Sequence, residues 1–130
     1  MVVGDKRKHL AVILTLKTVL DSKNQPTDNL HPDVIEWLES LGSSSLTPKE
    51  VAAEDNDDVK EAIMKSINTV NRKAVSKAQK VHKYMIAPTD FSLAGGELTP
   101  TLKIKRFYIT EKYEKEIERM FEYETQSSLW

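Results

Sequence analysis

Cysteine is absent from the sequence, which excludes disulfide bonds, thiol catalysis and cysteine-based zinc sites. Long apolar runs are also missing. The longest, Leu10 to Leu16, is interrupted by Thr15 and is shorter than the roughly 18 residues that a membrane-spanning helix needs. Neither sign of charge dominates, because 19 lysines and arginines oppose 20 aspartates and glutamates. A net charge of −1 gives no general attraction to nucleic acid or anionic lipid, so we expect no nucleic-acid partner. Because no apolar run is long enough, we also expect no transmembrane segment.

The size and composition of the chain predict a single folded domain over residues 1–130. Apolar residues make up 39% of it and charged residues 30%, which is typical of a globular domain rather than a disordered segment. The first residues lack the order of charged and apolar residues found in a secretory signal peptide. We expect a cytoplasmic location, with any membrane attachment made by other parts of a longer protein.

The start of the sequence predicts a hairpin followed by a loop. Val2-Val3 and Leu10 to Leu16 form two arms around a Gly4-Asp5 turn. The second arm is apolar on both faces, which indicates a central, covered strand. The polar stretch Asp21 to Asn29 contains Pro26 and predicts a loop.

Three helices are predicted next. Pro32 suits the first position of a helix and Gly42 suits its end, while Thr47 followed by Glu50 predicts a capping box. The longest helix is expected from Asp57 into the low seventies, with acidic residues at its N-terminal end. The apolar stripes of the first and the longest helix are Val34, Ile35, Trp37, Leu38 and Leu41, and Val59, Ala62, Ile63, Ile67 and Val70.

The remaining sequence predicts short strands and a final helix. Tyr84 to Ala87 is expected as a strand, and Phe91 to Leu93 as another that returns after Gly95-Gly96. A helix is predicted from Thr110, as its cap, to Tyr123, with Tyr113, Ile117, Met120 and Phe121 buried. Strands interspersed with helices predict an α+β domain: a small β-sheet with helices packed against one face.

The segment from Gly95 to Arg106 carries the residues most suited to chemistry. Gly95-Gly96 permits backbone conformations closed to other residues, so the loop can bend. Thr99-Pro100-Thr101 then stiffens the chain just before Lys103. A lysine ammonium is a compact charge with three donors and suits a phosphate oxygen or a carboxylate. From the residues alone, Lys103 is either a directed catalytic cation or a solvated surface charge.

Leu98 to Arg106 reads Leu-Thr-Pro-Thr-Leu-Lys-Ile-Lys-Arg, which resembles the motif Leu-Thr-Pro-Thr-x-Lys-x-Lys-Arg of the long-chain fatty acyl-CoA synthetases. The wider superfamily of adenylate-forming enzymes has a related motif, Thr-Pro-x-Gly-Lys-x-x-Arg, with glycine where this chain has Leu102. Within the long-chain branch the chain is similar to the bubblegum-type synthetases nearly end to end, most diffusely between Glu36 and Val70. Other segments that carry the resemblance are Gly4 to Lys8, Leu14 to Lys17, Thr27 to Leu30, Val70-Asn71, Phe91-Ser92, Gly95 to Leu98 and Glu111 to Tyr113.

The resemblance implies the C-terminal lid domain of a long-chain fatty acid–CoA ligase, whose large N-terminal AMP-binding domain is absent from this chain. Fatty acid and ATP would give acyl-adenylate, and coenzyme A would then displace AMP. Lys103 would be the catalytic lysine of the first step, and the domain would rotate to allow the second. ATP, AMP and Mg²⁺ would be bound mainly by the absent domain, so the fragment alone is expected to be inactive. We also expect the chain to begin just after the hinge between the domains, with Met1 either a native internal residue or an introduced start.

Other basic residues have weaker assignments. Lys6, Arg7 and Lys8 lie in the predicted hairpin turn and either meet coenzyme A phosphates, contact the large domain or face solvent, the last being favoured. Lys105 and Arg106 either support the Lys103 loop or face solvent. The three histidines, His9, His31 and His82, share no metal-ligand spacing, so no metal site is expected.

Two rival functions remain open from the sequence. One is a non-catalytic interaction module that docks on a protein partner through its charged helices. The other is a nucleic-acid binder that uses Lys6 to Lys8 and the lysines from Lys73 to Lys83, against which the net charge argues. A Ser/Thr/Gly-rich ATP loop upstream in the reading frame would favour the ligase, and a native start at Met1 would contradict it.

Overall fold

The computed structural model describes residues 1–4, 7, 9–74 and 79–127, the last six by their backbone alone. These described residues form five strands and five helices, so the predicted α+β class is confirmed. The strands are β1 (Val2–Val3), β2 (Leu10–Leu14), β3 (Thr18–Leu20), β4 (Pro26–Leu30) and β5 (Val81–Ile86). The helices are α1 (Pro32–Ser40), α2 (Pro48–Ala53), α3 (Asp57–Asn71), α4 (Arg106–Lys112) and α5 (Glu114–Ser127).

The main sheet has three strands in the order β1-β2-β5. β1 runs antiparallel to β2, with Val2 opposite Val12, and β5 runs parallel to β2, with Tyr84 opposite Val12. The predicted pairing of the first two arms and the central place of the second are therefore confirmed, although β2 ends at Leu14 rather than Leu16. Within the predicted turn, Asp5 lies outside the described residues.

Helices cover both faces of this sheet, so the expectation that they pack on one face was wrong. Because side chains alternate along a strand, Ala11 and Ile13 of β2 face one apolar core, while Leu14 packs against the other. The first core contains Val3, Ala11, Ile13, Ala87, Ile109, Tyr113, Ile117, Met120 and Phe121. The second contains Leu30, Leu38, Val51, Val59 and Ile63. The unbroken apolar run of β2 reflects burial on both sides.

A two-stranded sheet replaces the second part of the loop predicted over residues 21–29, and residues 21–25 form its turn. β3 and β4 pair antiparallel, with Thr18 opposite Leu30. Their turn is closed by Asp21, whose carboxylate accepts the backbone N–H groups of Lys23 at 2.8 Å and Gln25 at 3.0 Å. Pro26 stands at the first position of β4, where a strand tolerates a missing N–H. The strand was missed because β4 buries only Leu30 and therefore shows no apolar alternation.

The predicted helix boundaries are largely confirmed in the middle of the chain. Pro32 begins α1, and Gly42 follows its end with a φ of +81°. Thr47 Oγ1 accepts the Glu50 N–H at 3.2 Å, but the Glu50 carboxylate accepts the Leu46 N–H rather than that of Thr47. α3 covers the predicted range. β5 begins three residues before its predicted start.

Two elements near the C-terminus differ from the prediction. The single helix from Thr110 is instead two helices, α4 and α5, which meet at Tyr113. Thr110 is no cap, because its hydroxyl donates to the Arg106 carbonyl inside α4 at 2.8 Å. The predicted stripe of Tyr113, Ile117, Met120 and Phe121 is buried as expected. No helix among the described residues has the length and apolar character needed to cross a membrane.

Candidate functional site: the Lys103 loop

Lys103 follows a tight turn that is closed by backbone hydrogen bonds. The Leu102 N–H donates to the Thr99 carbonyl at 2.8 Å, and the Thr99 N–H donates to the Lys103 carbonyl at 2.8 Å. Thr99 also accepts the Lys103 N–H through its hydroxyl oxygen at 3.1 Å. An isolated bridge joins Leu98 and Ile104 on either side. The predicted strands around Gly95-Gly96 are thus reduced to this bridge, and the turn fixes the Lys103 backbone.

Leu102 adopts a left-handed backbone conformation, with a φ of +63°. This region favours glycine, because a Cβ there crowds the following carbonyl at a cost of about 1–2 kcal/mol. The resemblance to adenylate-forming enzymes places glycine at this position of the wider motif, and the geometry explains that preference. In this chain leucine takes the left-handed position of the turn.

The Lys103 side chain faces solvent. All side chains from Pro100 to Tyr108 are exposed, including Phe107 at 85%. Among the described residues, no carboxylate forms an ion pair with Lys103. A lysine whose backbone is fixed and whose ammonium group forms no ion pair with the described part of the domain can interact with an anion presented from outside.

Side chains pack closely against the two glycines before the turn. Gly96 has a φ of +87°, and a Cβ there would lie 3.0 Å from the Tyr108 ring. At Gly95 a Cβ would lie 2.4 Å from a carboxylate oxygen of Glu97. Tyr108 closes the contact by donating its hydroxyl to the Gly95 carbonyl at 3.1 Å. Sequence reasoning expected flexibility at these positions, and in this structure they form a packed base under the turn.

Glu97 is a buried charge that sequence reasoning missed. It is 1% exposed, and its carboxylate accepts the Ser92 N–H at 3.0 Å and the Lys112 ammonium at 2.8 Å. Its carbonyl accepts the Lys105 N–H at 2.8 Å. The hydrogen bond with Glu97 raises the pKa of Lys112, against the lowering effect of its partial burial. The one hint in the sequence is that Gly95-Gly96, directly before Glu97, leaves room for its carboxylate.

Arg106 and Lys105 connect the loop to the rest of the domain. The Arg106 guanidinium donates to the Val2 carbonyl at 2.5 Å and so ties the start of α4 to β1. Lys105 contributes its backbone N–H to Glu97, while its own side chain is exposed. The Arg106 side chain is thus bound to β1, whereas Lys105 contacts Glu97 only through its backbone.

The basic cluster of the first turn is described only at Arg7, since Lys6 and Lys8 lie outside the described residues. The Arg7 guanidinium forms an ion pair with Glu118 at 2.7 Å and lies 4.8 Å from the centre of the Phe121 ring. Arg7 and Arg106 line one open cleft. The Glu118 contact leaves Arg7 less available for an external phosphate.

The histidines do not form a metal site in the described part of the chain. The rings of His9 and His82 stack with their centres 4.6 Å apart, and His31 caps α1 by accepting the Asp33 N–H at 3.1 Å. No group of three or more histidine, aspartate or glutamate side chains among the described residues is arranged to hold a metal ion.

The fold and its lysine-bearing turn define a class of protein. Residues 45–125 match the model of the family described as AMP-binding enzyme C-terminal domain, and this range is more than half of the chain. The chain therefore belongs to that family, as the resemblance of its motif predicted.

Its relatives narrow the class further. The chain is 39% identical over 122 residues to the long-chain-fatty-acid–CoA ligase ACSBG2 of Homo sapiens. The aligned residues make up 93% of the chain and 18% of the relative. It is 39% identical over 123 residues to the ligase ACSBG1 of Bos taurus, covering 94% of the chain and 17% of the relative. The predicted bubblegum-type resemblance is confirmed, and the chain spans less than a fifth of the length of these relatives. No solved structure matches the chain.

Proposed function

We propose that this chain acts as the C-terminal domain of an AMP-forming long-chain fatty acid–CoA ligase and supplies Lys103 to fatty acid adenylation. Family membership and the ligases among its relatives support the class of reaction. Because the chain spans less than a fifth of those relatives, ATP, Mg²⁺ and the fatty acid are bound mainly by a larger N-terminal domain. We place the whole enzyme in the cytoplasm.

In the first step, a carboxylate oxygen of the fatty acid attacks the α-phosphorus of ATP, and the bond to the β-phosphate oxygen breaks to release pyrophosphate. Two anions approach each other, and negative charge accumulates on the oxygens around the α-phosphorus. An ammonium group aimed at these oxygens stabilises the transition state, by about 3–4 kcal/mol on the scale of other preorganised donors. Lys103 is proposed for this role.

In the second step, the thiol of coenzyme A loses its proton and attacks the acyl carbonyl, and AMP leaves with the electrons of the carbon–oxygen bond. Lys103 has no role in this chemistry and would obstruct the approach of the thiol. We therefore propose that the domain rotates between the steps, withdraws Lys103 and admits coenzyme A. Lys6, Arg7 and Lys8 are candidates to meet the coenzyme A phosphates or the large domain in this second pose.

The observation that carries the proposal is the combination of a fixed backbone and a free ammonium group at Lys103. The turn from Thr99 to Lys103 is closed by hydrogen bonds, and the lysine forms no ion pair with the described residues. A solvated surface lysine has no need of a fixed backbone, and so no need of the strained Leu102 or the packed glycines before it. A lysine that binds an external anion benefits from both, because they fix the position of its backbone.

The test compares Lys103→Ala with wild type in the protein that carries this domain together with its large domain. Adenylate formation from fatty acid and ATP is measured separately from thioester formation from preformed acyl-adenylate and coenzyme A. We expect adenylation to fall by about 10²–10³-fold and thioester formation to stay within about threefold. Lys49→Ala, at an exposed position of α2, is the matched control and should change neither step.

The alternative function is a non-catalytic interaction module. The exposed apolar residues next to Lys103, above all Phe107, are the observation that favours it. If Lys103→Ala retains both half-reactions, the ligase role of Lys103 is wrong and the domain is better described as a docking module.

A further inference from the structure

We propose that Glu97 and Lys112 form a positioning pair that sets the Lys103 turn for adenylation. Glu97 reaches neither substrate nor the reacting atoms in this proposal and acts through the backbone of the turn. The inference rests on the proposed role of Lys103 and adds two residues that lie outside the motif from Leu98 to Arg106.

The contacts of Glu97 join three segments around the turn. One carboxylate oxygen accepts the Ser92 N–H before the glycines, at 3.0 Å, and the other accepts the Lys112 ammonium from α4, at 2.8 Å. The Glu97 carbonyl accepts the Lys105 N–H on the far side of the turn, at 2.8 Å. A single residue therefore links both arms of the turn to the helix that follows it.

Burial makes these contacts obligatory. The Glu97 side chain is 2% exposed, and a carboxylate in such a place is tolerated only if its oxygens are hydrogen-bonded or paired with a cation. Gly95 allows the close approach, because any Cβ there would collide with the same carboxylate. If Lys112 is lost, the carboxylate must find water or move, and the turn must move with it.

The hydrogen bonds of Glu97 act on the turn, while the Lys112 ammonium also lies 5.6 Å from the centre of the Tyr113 ring in the first core. Glu97 belongs to neither apolar core, and the described contacts of its side chain stay within residues 92–112. Arg7 and Glu118 offer a contrast, because that ion pair joins distant segments while both side chains are at least one-third exposed. A displacement of about 1 Å in a catalytic group can reduce a rate by about 10²-fold, so a local shift of the turn is enough.

The experiment uses Glu97→Gln and Lys112→Met in the protein with its large domain, and again measures the two half-reactions separately. We expect each variant to lower adenylation by about 10- to 100-fold while thioester formation stays within about threefold. Lys112→Arg keeps the cation and should recover most of the adenylation rate. The double variant Glu97→Gln/Lys112→Met should be no worse than either single variant, because the two residues act as one unit. Asp55→Asn, in the exposed ion pair with Lys60, is the control and should leave both steps unchanged.

Thermal unfolding and amide hydrogen exchange separate a positioning role from a structural one. Faster exchange confined to residues 98–105, together with a loss of adenylation and retained thioester formation, supports the proposal, whether or not the melting temperature falls. Equal losses in both half-reactions together with a lower melting temperature would overturn it, since the pair would then serve the fold alone. If Lys103→Ala abolishes adenylation while both variants of the pair retain it, the positioning inference is wrong and the role of Lys103 stands. If Lys103→Ala changes nothing, the proposed function itself fails, and the positioning inference fails with it.

Discussion

The main sheet and the Lys103 turn are built by opposite means. β2 lies between two apolar cores, with Ala11 fully buried and Ile13 1% exposed. The Lys103 turn buries almost no apolar surface and is shaped by backbone hydrogen bonds, two glycines and the charge of Glu97. Apolar burial gives the larger stabilisation per residue, whereas directional polar contacts fix geometry more narrowly. The sheet is therefore suited to stability and the turn to placing one side chain.

The largest expected difference between the two regions is in the free energy of unfolding, tested by one substitution in each. Ile13→Ala should lower the free energy of unfolding by about 2–5 kcal/mol, because it leaves a cavity in the first core. Lys103→Ala should change it by less than about 0.5 kcal/mol, as is usual for an exposed side chain. Urea unfolding of the chain measures both, with Val19→Ala, 41% exposed, as a control for apolar truncation. A large loss of stability at Lys103 would contradict the division.

A smaller difference in stability, between alanine substitutions at two glycines, separates the cost of backbone strain from the cost of packing at the base of the turn. Gly96 and Gly42 have similar φ angles, +87° and +81°, but a Cβ meets the Tyr108 ring at Gly96 and open space at Gly42. Gly42→Ala should cost about 1–2 kcal/mol for its left-handed backbone alone, and Gly96→Ala should cost more. The excess should shrink in a Tyr108→Ala background. Equal costs at the two glycines would show that Tyr108 yields freely and that the turn is not held by this contact.

The smallest effect is the response to pH, which differs in direction between Glu54, at the end of α2, and Lys112, beside the Lys103 turn. The Ser43 hydroxyl, with help from Ser45, holds the pKa of Glu54 below its ordinary value of 4.5, against the opposing effect of burial. Its contribution to stability is present above pH 4.5 and is lost as the pH falls through the folded-state value. Lys112 has its pKa raised above 10.5, chiefly by Glu97, so its contribution is present below pH 10.5 and is lost as the pH rises further.

The two groups can be separated by substitution. Unfolding measured across the pH range should show a shallower acid limb in Glu54→Gln and a shallower alkaline limb in Lys112→Met, each relative to wild type. Either variant altering the opposite limb would indicate that the assignment of that limb is wrong.

The same contrast explains which parts of the structure could be predicted from the sequence. The centre of the sheet was predictable because an apolar run such as β2 has few alternatives to a covered strand. α3 was predictable from its helical spacing and its acidic start. β4 was not, since it buries one residue of five and is defined by pairing with β3 rather than by its own pattern. The coverage of both sheet faces was missed because periodicity within one element does not say where the other helices pack.

For the site, the motif predicts a role for Lys103 and its supporting segment, but it gives no information about the buried residues beneath them. Glutamate is a residue type that usually lies at the surface, and Glu97 is close in sequence to an exposed turn. It is nevertheless almost fully buried. Its partner Lys112 lies 15 positions along the chain, and the sequence holds no local signal that joins the two. Long-range polar pairs of this kind depend on how α4 returns over the loop, which only the folded chain specifies.

The left-handed conformation of Leu102 limits the number of backbone conformations that the turn can adopt. Glycine at this position explores left- and right-handed backbone regions with similar ease, so a turn built on it can invert or open at little cost. Leucine has far fewer conformations to lose when the chain orders, and it reaches the left-handed region only where the Thr99 bonds select it. Once formed, such a turn has few alternative backbone conformations of similar energy. The strain at one residue thus narrows the range of directions from which the Lys103 ammonium group can approach an anion.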